Sequence, residues 1–292
     1  MASLKEIKGR IASVKSTQKI TSAMKMVASA SLRKAQYQIE RFLPYQSKLN
    51  EMIRSFLASE TDFESNLSEV RDVKRVAIVV FSSNSGLCGA FNSNIIKLLN
   101  ETLERYKHLS PKNIEIYPMG KKVESQVRKM ALPYSIMGSY IDLVDKPNFD
   151  GAKQISANLI HDFLTRKIDK VELVYNHFKT TAVQVPTAEQ YLPLLLEEPQ
   201  DAAKTIQTDY IVEPDKATIL QSLLPKSLNS KIYAVLCDTV AAEQAARVVA
   251  MQIATDNAGD ILDGLTIQYN KQRQQSITSE LLDIIGGSEA LK

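Results

Sequence analysis

Long stretches without chain-breaking residues lie at both ends of this sequence. The first 57 residues contain one glycine, Gly9, and one proline, Pro44. After Pro214, one further proline and two glycines interrupt an alanine-rich segment that runs to Ile285. Proline and glycine are the residues that most disfavour a helix interior. Both ends are therefore predicted to be helices longer than the ~25 residues above which a coiled coil or a repeat is expected.

The apolar pattern of the N-terminal segment changes along its length. Apolar residues first recur at steps of three and four, as on one face of a helix: Leu4, Ile7, Ile11 and Val14. The same face then carries polar residues, while the apolar residues move to other positions: Gln18, Thr21 and Lys25 on the face, and Ile20, Met24 and Val27 beside it. Either the stripe drifts around the helix or the partner packed against it changes.

The middle of the chain alternates short β-branched runs with amphipathic segments. Strands are expected at 75–81, 113–119, 170–178, 180–194 and 208–214. Helices are expected at 92–109, 121–132 and 151–168, the first with Asn92 as its N-cap. Such alternation favours an α/β domain with a mainly parallel sheet.

The predicted fold class is accordingly α/β, in three parts. Residues 1–58 form an N-terminal coiled-coil helix, 73–212 a central, inserted Rossmann-like α/β domain, and 213–286 a C-terminal coiled-coil helix beginning around Pro214. Two helices too long for their own domain bury their apolar stripes most simply against each other. We therefore expect a long antiparallel coiled coil of the N- and C-terminal helices.

Charge is concentrated at the N-terminus although the net charge of the chain is only +3. Residues 1–36 contain eight lysines and arginines and one acidic residue, Glu6. Three interpretations stay open: a solvated face, a surface for DNA or a membrane, or a surface for an acidic protein.

Catalytic and metal-binding signatures are sparse. Cys88 and Cys237 form no CxxC motif, and the three histidines, His108, His161 and His177, fall in predicted strands or amphipathic segments. The turn GLCGAF, 86–91, resembles a phosphate-binding loop but lacks both the third glycine of the dinucleotide fingerprint and the P-loop lysine. We expect no cofactor, no metal, no signal peptide and no membrane-spanning segment.

Three stretches together resemble the gamma subunits of F-type ATP synthases in their bacterial form: 5–36, SGLCGAFN at 85–92, and 243–287. The resemblance covers essentially the whole chain. It implies a non-catalytic rotor stalk that couples ion-driven rotation of a membrane c-ring to ATP synthesis on a ring of alpha and beta subunits. It also implies contact with an epsilon subunit, no nucleic acid, and a peripheral place on the cytoplasmic face of the bacterial inner membrane through the c-ring.

The same resemblance assigns contacts with the beta subunit to particular positions. Arg273 and Gln274 match the pair that engages a loop of beta, and Thr278 and Glu280 lie in the same C-terminal signature, ITSELLDIIGGSEA. Three further positions match residues that face beta, namely Met24 and Lys25 opposite an acidic lever and Arg247 on the C-terminal helix. The sequence departs from the family at Asn84-Ser85, where Asp-Arg is usual, and at Ser288, where alanine is usual.

Interpretations of these residues that involve no partner protein also stay open. Met24 could fill a helix interface, Lys25 and Arg247 could be solvated, and Arg273 could be a surface arginine with a packed stem. Because the C-terminal helix is longer than the N-terminal one, we expect it to extend alone from about Lys271, which would leave Arg273 without a coiled-coil partner.

Two other classes of protein are weighed beside the rotor. One is a small α/β nucleotide-binding enzyme whose helical arms dimerise it. The other is a basic coiled coil that binds nucleic acid or a membrane surface.

Overall fold

A computed structural model of the chain describes residues 3–59, 65–130, 133–195 and 212–289. The chain divides into two compact units. The coiled-coil unit comprises residues 1–28 and 247–292, and the sheet unit spans Ser29–Ala246. Two helices, α1 (Leu4–Ser59) and α6 (Lys216–Glu289), contribute to both units.

The sheet unit contains a five-stranded sheet with strand order β3-β2-β1-β4-β5. The strands are β1 (Val76–Phe81), β2 (Ile114–Met119), β3 (Ser135–Ile136), β4 (Lys170–Phe178) and β5 (Gln184–Leu192). All neighbouring pairs are parallel except β4 and β5, which are antiparallel. The remaining helices are α2 (Phe91–Arg105), α3 (Lys121–Val127), α4 (Ile141–Asp145) and α5 (Phe149–Leu164). The predicted mainly parallel α/β fold is confirmed.

Both faces of the sheet are buried, because helices pack on each of them. Side chains of successive strand residues point to opposite faces. Val76, Ile78 and Val80 of β1 pack with α2 and α3. Ala77 and Val79 pack on the other face with α5 and with parts of α1 and α6. A strand buried on both faces is expected to be a continuous apolar run, and this explains the sequence VAIVVF.

Strand positions agree with expectation more closely than helix ends do. The first two expected strands and 170–178 match β1, β2 and β4 to within one residue, and β5 is a shortened form of 180–194. The strand expected at 208–214 lies largely outside the described residues, and 212–214 are not in a strand. The short β3 and α4 were not expected.

Several helix ends differ from the sequence-based expectation. Helix α2 ends at Arg105 and not at 109, and α3 ends at Val127 and not at 132. Asn92 is not an N-cap: it lies inside α2, and its amide Nδ2 donates to the hydroxyl of Ser83 at 2.8 Å. Helix α5 ends at Leu164, not at 168. Pro214 precedes α6, whose first turn is held by Asp215, since Asp215 Oδ1 accepts the Thr218 N–H at 2.7 Å.

Candidate functional site

A continuous seam runs along α1 through the coiled-coil unit. Buried and half-buried residues follow one another at alternating steps of four and three: Ile7, Ile11, Val14, Gln18, Thr21, Lys25 and Ala28. This 3.5-residue spacing is the heptad pattern of a coiled coil. The stripe therefore does not drift, so the first of the two alternatives is wrong. Ile20 and Val27 lie off the seam, 59% and 68% exposed.

Helix α6 has a matching seam. Its buried and half-buried residues are spaced in the same way: Val248, Met251, Thr255, Ala258, Leu262, Leu265, Tyr269 and Gln272. The two hydroxyl oxygens of Thr21 and Thr255 are 2.8 Å apart, which fixes the antiparallel register. Counted from that pair, Ile7 lies opposite Tyr269 and Leu4 lies opposite Gln272.

The register explains the polar break that follows Tyr269. Helix α1 begins at Leu4, so residues of α6 beyond Gln272 have no α1 residue opposite them. Residues 273–280 are all exposed except the half-buried Ser276. The single-helix extension expected from about Lys271 is therefore confirmed. Within the described residues, Arg273 has no hydrogen bond or ion pair to α1.

Three of the six residues assigned by resemblance to beta contact lie together on this extension. Arg273, Gln274 and Thr278 are all exposed. The hydroxyl of Thr278 donates to the backbone carbonyl of Gln274 at 2.9 Å, so it is bonded to its own helix. The side chains of Arg273 and Gln274 extend from adjacent positions of the last part of α6, which pairs with no other helix among the described residues.

The other three residues form a separate band. Met24 and Lys25 are half-buried, and Arg247 is buried with 8% exposed, so solvation of Lys25 and Arg247 is not what the structure shows. Along α6, Arg247 is about 39 Å from Arg273 at 1.5 Å per residue. The structure thus places the six residues in two bands and not in one site.

Lys25 points into the seam. Its ammonium donates to Gln252 Oε1, and Gln252 Nε2 donates in turn to both carboxylate oxygens of Asp256, at 2.7 and 2.9 Å. The positive charge of Lys25 is thereby linked to a negative charge on α6 through one amide.

Exposed apolar residues of the extension were missed when the sequence was searched for sites. They form one broad face, about 160° wide at 100° per residue, and each is between 45% and 67% exposed: Ile277, Leu281, Leu282, Ile284 and Ile285. An apolar face on a stretch of helix that continues beyond the coiled-coil seam would have been the signal in the sequence. Contiguous exposed apolar surface of this kind marks an interaction site.

The turn after β1 is closed off by packing. Leu87 and Gly89 both have positive φ, at 63° and 59°, so the turn is tight. Cys88 and Phe91 pack against Ala242 and Ala246 of α6. Ligands of open α/β sheets bind beyond the carboxyl ends of the strands, and here α6 covers that position at β1. The buried Cys88 thiol accepts a hydrogen bond from Asn92 Nδ2 at 3.1 Å and is not placed as a nucleophile.

At Asn84, the structure shows what replaces the family's usual aspartate. The amide Nδ2 donates to the carbonyl of Ile141 at 2.8 Å, and Oδ1 accepts the backbone N–H of Lys121 at 3.0 Å. Asn84 therefore joins the first residues of α3 and α4 as a neutral bridge, a role in which donor and acceptor are both needed.

All three histidines are exposed. Within the described ranges no cluster of three or more histidine, cysteine or acidic side chains has a geometry that would hold a metal ion. In that same part of the chain, no helix combines the length and apolar character needed to cross a bilayer.

Comparison with known proteins gives one consistent result. A protein-family model described as ATP synthase matches residues 3–291. The ATP synthase gamma chain of Azobacteroides pseudotrichonymphae is 58% identical over all of both chains. That of Bacteroides fragilis is 52% identical over 99% of this chain and 100% of its own. That of Flavobacterium johnsoniae is 42% identical over 100% of this chain and 99% of its own.

Solved structures give the same picture. A chain of the Tetrahymena thermophila mitochondrial ATP synthase, from its central stalk and c-ring, is 25% identical, with a TM-score of 0.59 over 80% of this chain and 99% of its own. A chain of the Euglena gracilis mitochondrial ATP synthase shares the fold, with a TM-score of 0.65 over 99% of this chain and 94% of its own at 20% identity.

Proposed function

The chain belongs to the ATP synthase gamma-chain family, and we propose that it is the central rotor of an F-type ATP synthase, turning inside a ring of alpha and beta subunits. The observation that carries this proposal is the single-helix extension of α6. Arg273 and Gln274 lie where the seam ends, and a broad face of exposed apolar side chains follows them along the helix. A single helix with such an uncovered apolar face fits a surrounding protein collar that covers it.

The rotor acts by changing the conformations of its partners. A ligand shifts a conformational equilibrium only by its differential affinity for the states. An asymmetric shaft makes different contacts with each beta subunit at any moment, so rotation takes each catalytic site through different nucleotide affinities. ATP is then made on the other chains. In this chain, α6 covers the position beyond β1 where an α/β enzyme would bind nucleotide.

The individual contacts that we propose are those implied by the family resemblance, and the placement of the residues supports them. Arg273 and Gln274 offer a fixed cation and an amide to a loop of beta, with Thr278 on the next turn. Met24, Lys25 and Arg247 form the second band of contact with beta. Lys25 reaches an acidic partner only by giving up its bond to Gln252. The sheet unit binds the epsilon subunit and the c-ring, and the chain is peripheral to the bacterial inner membrane through that ring.

Reconstitution tests the proposal. The full chain is mixed with purified alpha and beta subunits, and a bead is attached to an exposed cysteine introduced in the sheet unit. We expect a stable complex whose ATP hydrolysis turns the bead in one direction. Failure of the chain to enter the complex, or nucleotide binding and turnover by the chain alone, would contradict the rotor and favour an enzyme.

A further inference from the structure

A polar layer interrupts the apolar seam of the coiled-coil unit. It consists of Gln18, Thr21 and Lys25 on α1 and of Thr255 on α6, with Gln252 and Gly259 beside the buried seam residues Met251 and Ala258. Apolar layers flank it, with Val14 and Leu262 towards one end and Ala28 and Val248 towards the other. Polar residues at seam positions lower the stability of a coiled coil, and their best-attested role is to select register. We propose that this layer fixes the axial register of α6 against α1, and so fixes the height at which the extension carrying Arg273 emerges.

The threonine pair is the first component of the layer. Thr21 and Thr255 have one hydroxyl hydrogen each, and three acceptors are available: the carbonyl of Gln18 at 3.0 Å, the carbonyl of Met251 at 2.8 Å, and the opposite hydroxyl at 2.8 Å. Whichever hydrogen crosses the seam, the other is directed to its own helix. A hydrogen bond across the seam, in addition to one within a helix, forms only when these two residues lie opposite each other.

The lysine relay is the second component. Lys25 donates to Gln252, which donates to Asp256, so a cation and an anion on different helices are joined by one correctly placed amide. Hydrogen bonds are directional and fail at short displacement. Apolar side chains, in contrast, exchange one set of contacts for another at little loss.

The side chain of Gln18 also lies beside α6. A Cβ added at Gly259 would lie 3.4 Å from Gln18 Nε2, an ordinary van der Waals distance.

Displacing α6 by one helical turn along α1 would disrupt the contacts of the layer. If α6 moved one turn so that Thr21 faced Met251, Lys25 would face Val248 and approach Arg247. The threonine hydroxyl would lose its cross-seam partner, and two cations would come together. A slip in the other direction would bring Gln18 to Leu262 and Thr21 to Ala258. Both slips break the hydrogen bonds from Thr21 to Thr255 and from Lys25 to Gln252, and polar groups that lose their partners carry the cost.

Disulfide trapping in the full-length chain tests this. One cysteine pair, Ile7→Cys with Tyr269→Cys, reports the native register. A second pair, Ile7→Cys with Leu265→Cys, reports the slip, because Leu265 is one turn, about 5.4 Å, away along α6, beyond disulfide reach in the native register. Bonds are formed by mild oxidation at temperatures rising to just below melting. They are then mapped on proteolytic peptides, which separates them from any bond of Cys88 or Cys237.

The layer is made apolar with Thr21→Val, Lys25→Met, Gln252→Met and Thr255→Val. The matched control makes the same four changes at exposed positions off the seam: Thr17→Val, Lys19→Met, Gln268→Met and Thr266→Val. The hydroxyls of Thr17 and Thr266 bond only to carbonyls of their own helix, at 3.1 and 2.7 Å.

We expect the slipped-register bond to form in the apolar variant at about tenfold or higher yield than in the control, while the variant melts at the same or a higher temperature. Equal yields of the slipped bond in variant and control would overturn the proposal. So would a lowered melting temperature without slip, since the layer would then only stabilise the coiled coil. Neither measurement requires the alpha and beta subunits, so a failed reconstitution leaves this test intact.

Discussion

The imidazole Nδ1 of His177, at the end of β4, lies 2.7 Å from Oδ2 of Asp238 on α6. The other carboxylate oxygen of Asp238 accepts the backbone N–H of Phe178 at 3.1 Å. One side chain of the long helix thus holds the last two residues of a central strand. The side chain of Asp238 is 18% exposed, so its charge is held in partial isolation from water.

Stability should depend on the ionisation of Asp238. Burial raises its pKa above the ordinary value, an effect that the hydrogen bonds from His177 and Phe178 only partly offset. A raised folded pKa contributes stability that is fully present below the unfolded pKa of about 3.9 and is lost as pH rises through the folded value. We expect Asp238→Asn to remove this loss. Urea unfolding between about pH 3.5 and 5.5 measures it.

Asp215 serves as a comparison, because its pKa is shifted in the opposite direction. Hydrogen bonds from the N–H and hydroxyl of Thr218 lower its pKa. Its contribution to stability is present above the unfolded pKa and is lost as pH falls. Asp215→Asn should therefore remove a part of the free energy of unfolding that rises with pH, whereas the Asp238 contribution falls with pH. If both variants changed the pH dependence in the same direction, the assignment of Asp238 would be refuted.

A steric prediction concerns Gly120, which follows β2. Its φ is +113°, and an added Cβ would lie 2.4 Å from the backbone oxygen of Ser82. We expect Gly120→Ala to lower the free energy of unfolding by about 3 kcal/mol, because the backbone on both sides must shift.

Gly264 is the matched control, since a Cβ there meets nothing within 4 Å and the residue lies inside α6. Gly264→Ala should raise the free energy of unfolding by about 0.5–1 kcal/mol. Urea melts of the two variants should therefore move in opposite directions. A destabilisation at Gly120 no larger than the change at Gly264 would contradict the steric argument.

The thiol of Cys237 should resist modification in the folded chain. Burial raises its pKa from 9.0 to about 11, despite a hydrogen bond with Tyr233 that lowers it. At pH 8 the thiolate is then about 100-fold scarcer than at the ordinary pKa, and the thiolate is the nucleophile. In a Cys88→Ser background, alkylation should be at least about 100-fold slower in native buffer than in guanidinium. Similar rates in both conditions would show that the α6 core opens readily.

Replacement of Arg273 and Gln274 by alanine tests the extension. Both are exposed in this chain, so the free chain should keep its helix content and melting temperature. In the assembled complex we expect ATP synthesis to fall by about tenfold, the scale of a lost interfacial arginine contact. Lys271→Ala with Gln275→Ala is the control, because it also removes one exposed cation and one exposed amide from this helix. Equal rates for the two double variants would argue against a specific contact.

The fold could be predicted from the sequence where periodicity is strong. Runs such as VAIVVF, 76–81, are buried on both faces of the sheet and leave an unbroken apolar signal. Helix ends were placed less well because local hydrogen bonds decide them. Asn92 has the residue type of an N-cap, yet its amide bonds to Ser83 across the turn. No pattern in the sequence near Asn92 predicts that partner.

The candidate site was predicted only in part. The exposure of Arg273 follows from the lengths of two helices, which the sequence reveals. The orientation of Lys25 does not, because its partner Gln252 is 227 residues away in sequence and both residues look like surface residues when read alone. Polar residues at seam positions interrupt the apolar pattern. From one helix alone, this interruption cannot be told apart from an apolar stripe that drifts around the helix.

The seam spacing has a mechanical consequence. A repeat of 3.5 residues, shorter than the 3.6 of a straight helix, gives a pair of helices a left-handed supercoil. A shaft built from such a pair is chiral. Twisting its end in one sense winds the two helices more tightly around each other, and twisting it in the other sense unwinds them. The elastic response of the coiled-coil unit therefore differs between clockwise and anticlockwise torque, even where the two torques are equal in size.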